Sequence, residues 1–486
     1  MIALTAAEIA EIVGGELHAL GPATVIAGPV VTDSREAVPG ALFAAIVGER
    51  ADGHAFAAGA VAAGAGAVLA AHPVAADDGT PLPAIVVPDV VAGLGALARE
   101  VLARLRRAAA APGGSGLRVL AVTGSVGKTT TKDLLAQVLG AHGPTVAPVR
   151  SFNNEIGLPL TVLRADADTR YLVLEMGASR IGHIAYLTGI AAPDVAIVLV
   201  VGSAHVGEFG GIEATARAKS ELVTGLAPGG VAVLNADDVR VAAMARLAPG
   251  PVVTFGLAGG AQVRGIGVTL TAGGRPELTL ADWRDGRHVE RSAPIRLRLV
   301  GEHHVHNALA AAAAALVVGL DLDQVAAGLA TADALSPHRM HVVDRPDGVT
   351  VVDDAYNANP DSMRAALKAL AALAGPFRRS IAVLGEMLEL GPASLAAHDA
   401  VGRLAVRLGI DLTVAVGQGA RAIADGATQE GSWGGEVAFV PDVDAAGELL
   451  AATLRPGDVV LVKSSLDAGL WRLGDRLAGA NGEGSA

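Results

Sequence analysis

Residues 119–132 read VLAVTGSVGKTTTK. An apolar run, Val119 to Val122, ends in the turn Thr123-Gly124-Ser125-Val126-Gly127, and Lys128-Thr129-Thr130 opens a polar, helix-compatible stretch. The order is strand, glycine loop, helix start. Backbone N–H groups of such a loop converge on phosphate oxygens, and the helix N-terminus adds positive potential. At this spacing Lys128 reaches the outer phosphates and the Thr129 hydroxyl can hold Mg²⁺. The general phosphate-loop pattern has Gly at position 122, which here is Val122. The fit is to a shorter form, Thr-Gly-x-x-Gly-Lys-Thr-Thr. The plainer alternative is a glycine turn with a solvated lysine. Because strand, turn and helix all fall where the motif needs them, the sequence predicts a nucleoside triphosphate site.

Working outward, apolar strand-like runs alternate with helical segments: Tyr171–Leu174, Val195–Val201 and Val231–Leu234. That rhythm predicts a mainly parallel sheet with helices on both faces, and ligands in such sheets sit beyond the carboxyl ends of the strands. Upstream, Arg106 to Gly116 (RRAAAAPGGSG) reads as a linker. Before it, Val30–Ala45 reads as strand, turn at Pro39-Gly40, strand. A second break falls at 332–341 (ADALSPHRMH), followed by β-rich runs Val349–Val352, Ser380–Leu384, Leu412–Val416 and Val459–Val462. The expected fold class is therefore α/β in three domains: a small N-terminal α/β domain at 1–112, a central phosphate-loop domain at 113–334 and a Rossmann-like C-terminal domain at 335–486.

Composition agrees. A chain of 486 residues exceeds one ordinary core. With 51% hydrophobic residues it has ample material to bury, and a formal charge of −12 argues against nucleic acid as a main partner. The absence of cysteine removes disulfides and thiolate chemistry. The N-terminus carries Glu8 and Glu11 and lacks the basic start of a secretory signal, and the longest apolar run, near Ala308–Leu320, is too short to span a bilayer. A cytoplasmic protein without a membrane span, and a monomer, is the expectation.

Several residues follow strands. Glu175 ends the run from Tyr171 and is placed to hold Mg²⁺ beside a phosphate loop, though an acid there can also be an ordinary loop residue. His205, in GSAHVG, follows Val195–Val201 and reads equally as a structural histidine. Lys219, in ARAKSE, reads locally as a solvated helix lysine. His303, His304 and His306 cluster without accompanying acids, which fits a helix start better than a metal centre. Asp353 to Pro360 (DDAYNANP) is either a polar site or a capped turn.

Together these segments resemble the Mur ligases, ATP-dependent amide-forming enzymes of peptidoglycan stem-peptide synthesis. Thr123 to Thr130 is similar to their ATP loop (Thr123, Gly124, Ser125, Val126, Gly127, Lys128, Thr129, Thr130), Glu175 to the magnesium-binding Glu and His205 to the second metal-site His. The resemblance implies that Lys219 is carbamylated, which turns a cation into an anion able to face a second Mg²⁺. It also implies that Asn307 contacts adenine, that Arg339 and Asp354 reach the nucleotide from the third domain, and that Lys463 lies near substrate.

The stretches Asn153–Thr161 and Asp354–Ser362, with Val383–Gly391 and His398, resemble the subtype that adds D-alanyl-D-alanine to a UDP-linked tripeptide. Asn153, Asn154, Tyr356, Asn357 and Asn359 are then expected on the substrate. Asp33-Ser34-Arg35, Gly48-Glu49-Arg50 and Asp52-Gly53-His54 resemble its UDP-sugar module, with Ser34 and Arg35 as substrate contacts. The implied reactants are ATP with two Mg²⁺ ions, UDP-MurNAc-tripeptide and D-Ala-D-Ala, joined through an acyl phosphate. Five positions depart from the family pattern: His304 where Asn is usual, His306 where a small residue is common, His338 where Gly often precedes the Arg, and Ser464 and Leu466 after Lys463, where a small residue and an Arg are typical.

Overall fold

The computed structural model describes residues 1–48, 51–202, 211–284, 291–431 and 436–479. His205 and the pair Glu49-Arg50 lie outside the described residues. Three main sheets follow one another along the chain. In the first, Val30–Val31, Leu42–Ala44, Ala67–Ala70 and Ala84–Val86 run parallel, and Glu16–His18 closes the edge antiparallel to the last. The stretch at 30–45 is thus a parallel pair joined through a 3₁₀ turn at Ser34–Glu36, where Asp33 accepts the Arg35 N–H at 2.9 Å.

The central sheet is built on Arg118–Thr123. It is flanked by Tyr171–Glu175 and Val195–Val198 and extends in parallel through Val231–Asn235 and Val252–Gly256 to Val263–Leu270. Two further strands, Pro276–Asp282 and Arg291–Arg296, continue it antiparallel. The strand expected to reach Val201 ends at Val198, and the Leu199 carbonyl turns to the Asn235 side-chain amide at 2.8 Å. The Ala-rich helix His304–Val317 packs its small side chains against the helix Lys128–Gly140 and the sheet. Small residues let the two helix backbones approach closely.

The third sheet has the parallel order Thr350–Asp353, Val459–Lys463, Ser380–Leu384, Leu412–Val416, Val437–Val440, with His341–Asp344 antiparallel at the edge. All but the outermost strand of the parallel set are fully buried, as expected of strands covered on both faces.

The linker reading needs correction. Arg106 and Arg107 belong to the helix Val90–Ala109, which Asp89 caps through the Ala92 N–H at 3.0 Å. Ala and Arg are strong helix formers, so the helix runs on until the Pro112-Gly113-Gly114 stretch. Its buried face, including Leu94, Leu97, Val101 and Leu105, joins the same apolar core as Leu158, Ile184, Leu187 and Leu222 of the central domain. Arg99 donates to the Gly189 carbonyl at 2.8 Å and Arg106 to the Ala192 carbonyl at 2.6 Å.

The passage to the third domain is narrow. Ser336 is held by the central domain: its N–H donates to Asp133 at 3.0 Å and its hydroxyl meets Lys132 at 3.3 Å. Two residues later, His338 is bound to Asp353 of the third sheet at 2.6 Å. Lys132 and Asp133 are themselves a buried pair, and Lys132 also donates to the Pro148 carbonyl at 2.7 Å. Such pairs need every remaining donor and acceptor satisfied, which Ser336 and Pro148 accomplish.

Candidate active site

Parallel register places the chemistry. Glu175 pairs with Val122, so the carboxylate emerges beside the start of the loop that Thr123 begins. Gly127 turns at φ +85° and the helix begins at Lys128, its free N–H groups facing the loop. The Lys128 ammonium folds back on the Gly124 carbonyl at 2.8 Å. Burial lowers its pKa; Glu175 opposes that shift and Arg339 adds to it.

The Thr129 hydroxyl donates to Glu175 Oε2 at 2.9 Å and lies 2.8 Å from Ser151 Oγ, while Asn153 Nδ2 donates to Glu175 Oε1 at 2.8 Å. Glu175 is only 1% exposed, and its hydrogen bonds come from two neutral donors. A buried carboxylate so served, next to two hydroxyl oxygens, fits a divalent cation with hard oxygen ligands. Lys219 lies on the buried face of helix Ile212–Thr224 with Thr215, Ala218 and Leu222, so the solvated-lysine reading does not hold. Burial, with a smaller push from Lys128, lowers its pKa to about 7. At neutral pH much of it is a free amine.

These groups share a cavity of about 800 Å³ with side chains of the third domain. Ser125 to Thr130, Glu175, Lys219, Asn307 and Arg339 line it together with Asp354, Tyr356, Asn357, Asn359 and Lys463. Thr123 and Gly124 sit just behind the loop, with Thr123 buried at its strand end. Asn307 packs its side-chain oxygen against Gly127. Arg339 lies over the Tyr356 ring at 4.4 Å and donates to Ser151 Oγ at 3.2 Å, joining the two domains. Lys463 pairs with Asp354 and donates to the Asn357 carbonyl at 2.9 Å. Burial lowers the Lys463 pKa, and Asp354 opposes the shift.

Other expected residues stand differently. Ser34 and Arg35 do not line this cavity; Arg35 forms an exposed pair with Asp33. Asn154 lines the cavity, and its side chain accepts the Gly157 N–H at 2.9 Å. Asn359 spends its oxygen capping the helix Pro360–Ala374 through the Ser362 N–H at 2.9 Å, with Ser362 Oγ answering the Asn359 N–H at 3.0 Å. Asn359→Ala should therefore lower stability by about 1 kcal/mol, read as a lower midpoint in thermal unfolding; an unchanged midpoint would remove the capping role.

His303 and His304 line the cavity at the start of the Ala-rich helix, and His306 pairs with Asp237 at 2.9 Å. Burial takes the His303 pKa to about 4 and that of His304 well below the ordinary value. His398 is a scaffold: its Nε2 accepts the Met387 N–H at 2.9 Å and its Nδ1 meets the Ser394 carbonyl at 2.7 Å. It thereby fixes the loop carrying Glu389, a cavity residue at φ +63° that the sequence reading missed. Also missed were Ser151 and the pair His183–Glu155, 2.9 Å apart on the cavity wall. Ser151 stands two residues before Asn153, and Glu155 and Glu389 fall inside the stretches Asn153–Thr161 and Val383–Gly391, but none was singled out there as a site residue.

Fold and cavity define an ATP-using enzyme whose reacting site is shared between a phosphate-loop domain and a second α/β domain. Three family models match in order: "Mur ligase family, catalytic domain" at 29–102, "Mur ligase middle domain" at 122–315 and "Mur ligase, glutamate ligase domain" at 338–466. The chain belongs to the Mur ligase family. It is 49% identical to the UDP-N-acetylmuramoyl-tripeptide–D-alanyl-D-alanine ligase of Mycobacterium tuberculosis strain H37Rv, with 98% of each chain covered. It is 36% identical to the ligase of the same name from Escherichia coli K12, over 87% of this chain and 88% of that one. Among solved structures, MurF from Acinetobacter baumannii superposes with a TM-score of 0.82 at 32% identity, covering 98% of this chain and 99% of that one. MurF ligase from Thermotoga maritima in complex with ADP gives 0.74 at 29% identity, covering 92% and 96%.

Proposed function

We propose that this protein joins D-alanyl-D-alanine to UDP-MurNAc-tripeptide at the expense of ATP in peptidoglycan precursor synthesis. The observation that carries the reading is the single cavity in which the phosphate loop, Glu175 and Lys219 face Asp354, Asn357 and Lys463 of the third domain. The tripeptide carboxylate attacks the γ-phosphorus, forming a C–O–P linkage as ADP leaves. The amine of D-Ala-D-Ala then adds to the acyl carbon, loses a proton, and inorganic phosphate departs with the C–O bond electrons.

The difficulty is the approach of two anions. The N–H groups of Ser125 to Thr130 and the Lys128 ammonium spread the phosphate charge. Arg339, held between Tyr356 and Ser151 on the cavity wall, would add its guanidinium charge to the same oxygens. Thr129 and Glu175 would hold one Mg²⁺, and Glu175 with His205 and carbamylated Lys219 a second; ions bound there would supply charge neutralisation for the phosphates and a template for the carboxylate. The neutral amine of Lys219 is suited to add to CO₂ with loss of a proton, which makes the carbamate. Asn307, against Gly127, would take the adenine edge, while Ser34 and Arg35 would meet the uridine diphosphate end. Asn153, Asn154, Tyr356, Asn357, Asn359 and Lys463 would meet the peptide substrates. The domains meet this chemistry as 1–112 for the UDP-sugar, 113–334 for ATP and 335–486 for the incoming dipeptide.

Among the described residues no helix is long and apolar enough to cross a membrane. We place the enzyme in the cytoplasm, where ATP and UDP-linked precursors are found, and as a monomer, since one chain supplies the whole cavity. The test is phosphate release from ATP and Mg²⁺ with UDP-MurNAc-tripeptide, with and without D-Ala-D-Ala, with product mass. Turnover that requires both and yields the pentapeptide is expected. Equal turnover with neither substrate would make the protein a plain nucleotidase, and turnover with a different amino acid another ligase of the superfamily.

A further inference from the structure

His338 is the first residue bound to the third domain after the chain leaves the central one. It sits at φ +56°, with Met340 at φ +52°, so left-handed backbone flanks Arg339 on both sides. Side chains other than Gly, Asn and Asp rarely adopt that region, and a pair of such residues persists only where surrounding contacts enforce it. Those contacts are present. The Nδ1 of His338 meets Asp353 Oδ2 at 2.6 Å, and its Nε2 faces Asp475 Oδ1 at 3.9 Å. The Tyr356 N–H donates to the His338 carbonyl at 3.2 Å, and the Met340 N–H to Asp354 at 3.1 Å. Asp353 ends the strand Thr350–Asp353 and Asp475 lies on the helix Trp471–Ala478, whose Trp471 ring stands 6.1 Å from the imidazole.

We propose that His338 is a positioning residue: its imidazolium, clamped between Asp353 and Asp475, locks the left-handed turn that aims Arg339 into the cavity, and so couples use of ATP to pH. The three side chains suit an imidazolium better than a metal ion, because Nδ1 is already hydrogen-bonded to Asp353 while Nε2 faces the Asp475 charge at ion-pair distance. The hydrogen bond to Asp353 raises the His338 pKa. Partial burial opposes this, Asp353 and Asp475 add attraction, and Arg150 on the central side opposes it. The clamp is therefore complete below the ordinary histidine pKa and is lost as pH rises through the raised one. His338 does not line the cavity, so its effect passes through Arg339. The proposal rests on the reading that Arg339 meets the nucleotide phosphates.

The test is steady-state ligation by the full chain, with KM for ATP and for D-Ala-D-Ala followed from acid to alkaline pH. His338→Asn keeps a side chain that tolerates positive φ but cannot be a cation. We expect its KM for ATP to rise about ten- to hundredfold at neutral pH, with KM for D-Ala-D-Ala unmoved and the wild-type alkaline limb abolished. Asp475→Asn should shift that limb to lower pH. Circular dichroism and thermal unfolding establish that each variant is folded, and ¹⁵N-histidine spectra of the wild type follow the His338 titration where a variant is not. A purely structural role would lower the unfolding midpoint and leave the pH profile in place, which overturns the proposal. Arg339→Ala separates the two levels: crippled Arg339→Ala with an indifferent His338→Asn overturns the positioning role alone, while unimpaired Arg339→Ala overturns the phosphate reading as well.

Discussion

Lys219→Ala is expected to lower kcat by about 10²–10³-fold while leaving ADP affinity nearly unchanged. The side chain is buried on its helix face and lines the cavity, and the phosphate loop holds its shape without it, since Lys128 is anchored on the Gly124 carbonyl. Stability should not suffer, because removing a buried amine relieves a desolvation cost. If the working form is the carbamate, formate or acetate supplied at high concentration should restore part of the rate by bringing a carboxylate to the vacated space. The wild type should also lose activity as pH falls below about 7, the pKa to which burial lowers this amine, because the protonated amine cannot add to CO₂. Phosphate release and calorimetric ADP binding check these statements. Undiminished turnover without any added carboxylate would remove Lys219 from the mechanism.

Gly127→Ala should weaken ADP and ATP binding about a hundredfold, equivalent to about 2.7 kcal/mol. Two effects coincide there. At φ +85° any Cβ is strained, and this one would run into the Asn307 side-chain oxygen, so loop and Asn307 cannot both keep their places. Lys128, the next residue, would shift with the loop. Gly140, thirteen residues on at the end of the same helix, is the internal control. Nothing lies within 4 Å of a Cβ built there, so Gly140→Ala should leave binding alone and raise stability by about 0.5–1 kcal/mol. Calorimetry with ADP and thermal unfolding separate the two variants, and equal affinities would show that the loop tolerates rebuilding.

Legibility in the sequence followed the range of the interactions. The phosphate loop was readable because strand, turn and helix start are local and each leaves its own residue signature. Glu175 was readable as a strand-end acid, but its pairing with Asn153 and Thr129 depends on sheet register, which no window of sequence displays. Lys219 looked solvated because ARAKSE is polar, and only the packing of the helix shows which side faces the core. The antiparallel strands Pro276–Asp282 and Arg291–Arg296 went unread because their half-buried alternation is weaker than the apolar runs of the buried strands. Arg106 and Arg107 were misread because a Pro/Gly/Ser tail was extended backward over good helix formers. His338 stood out only as a departure from a pattern; its bond to Asp353 and its left-handed backbone belong to the folded chain.

The apolar core that the helix Val90–Ala109 shares with the central domain has a mechanical consequence. Counted by sheets the molecule has three main parts, but the two apolar joints between them differ in breadth. The first domain and the phosphate-loop domain are welded along a helix, whereas the central domain reaches the third domain's core through Val300 beside Leu373 and through the covalent passage from Ser336 to His338. Severing the chain near residue 112 would not free a module; it would strip the central domain of its lining.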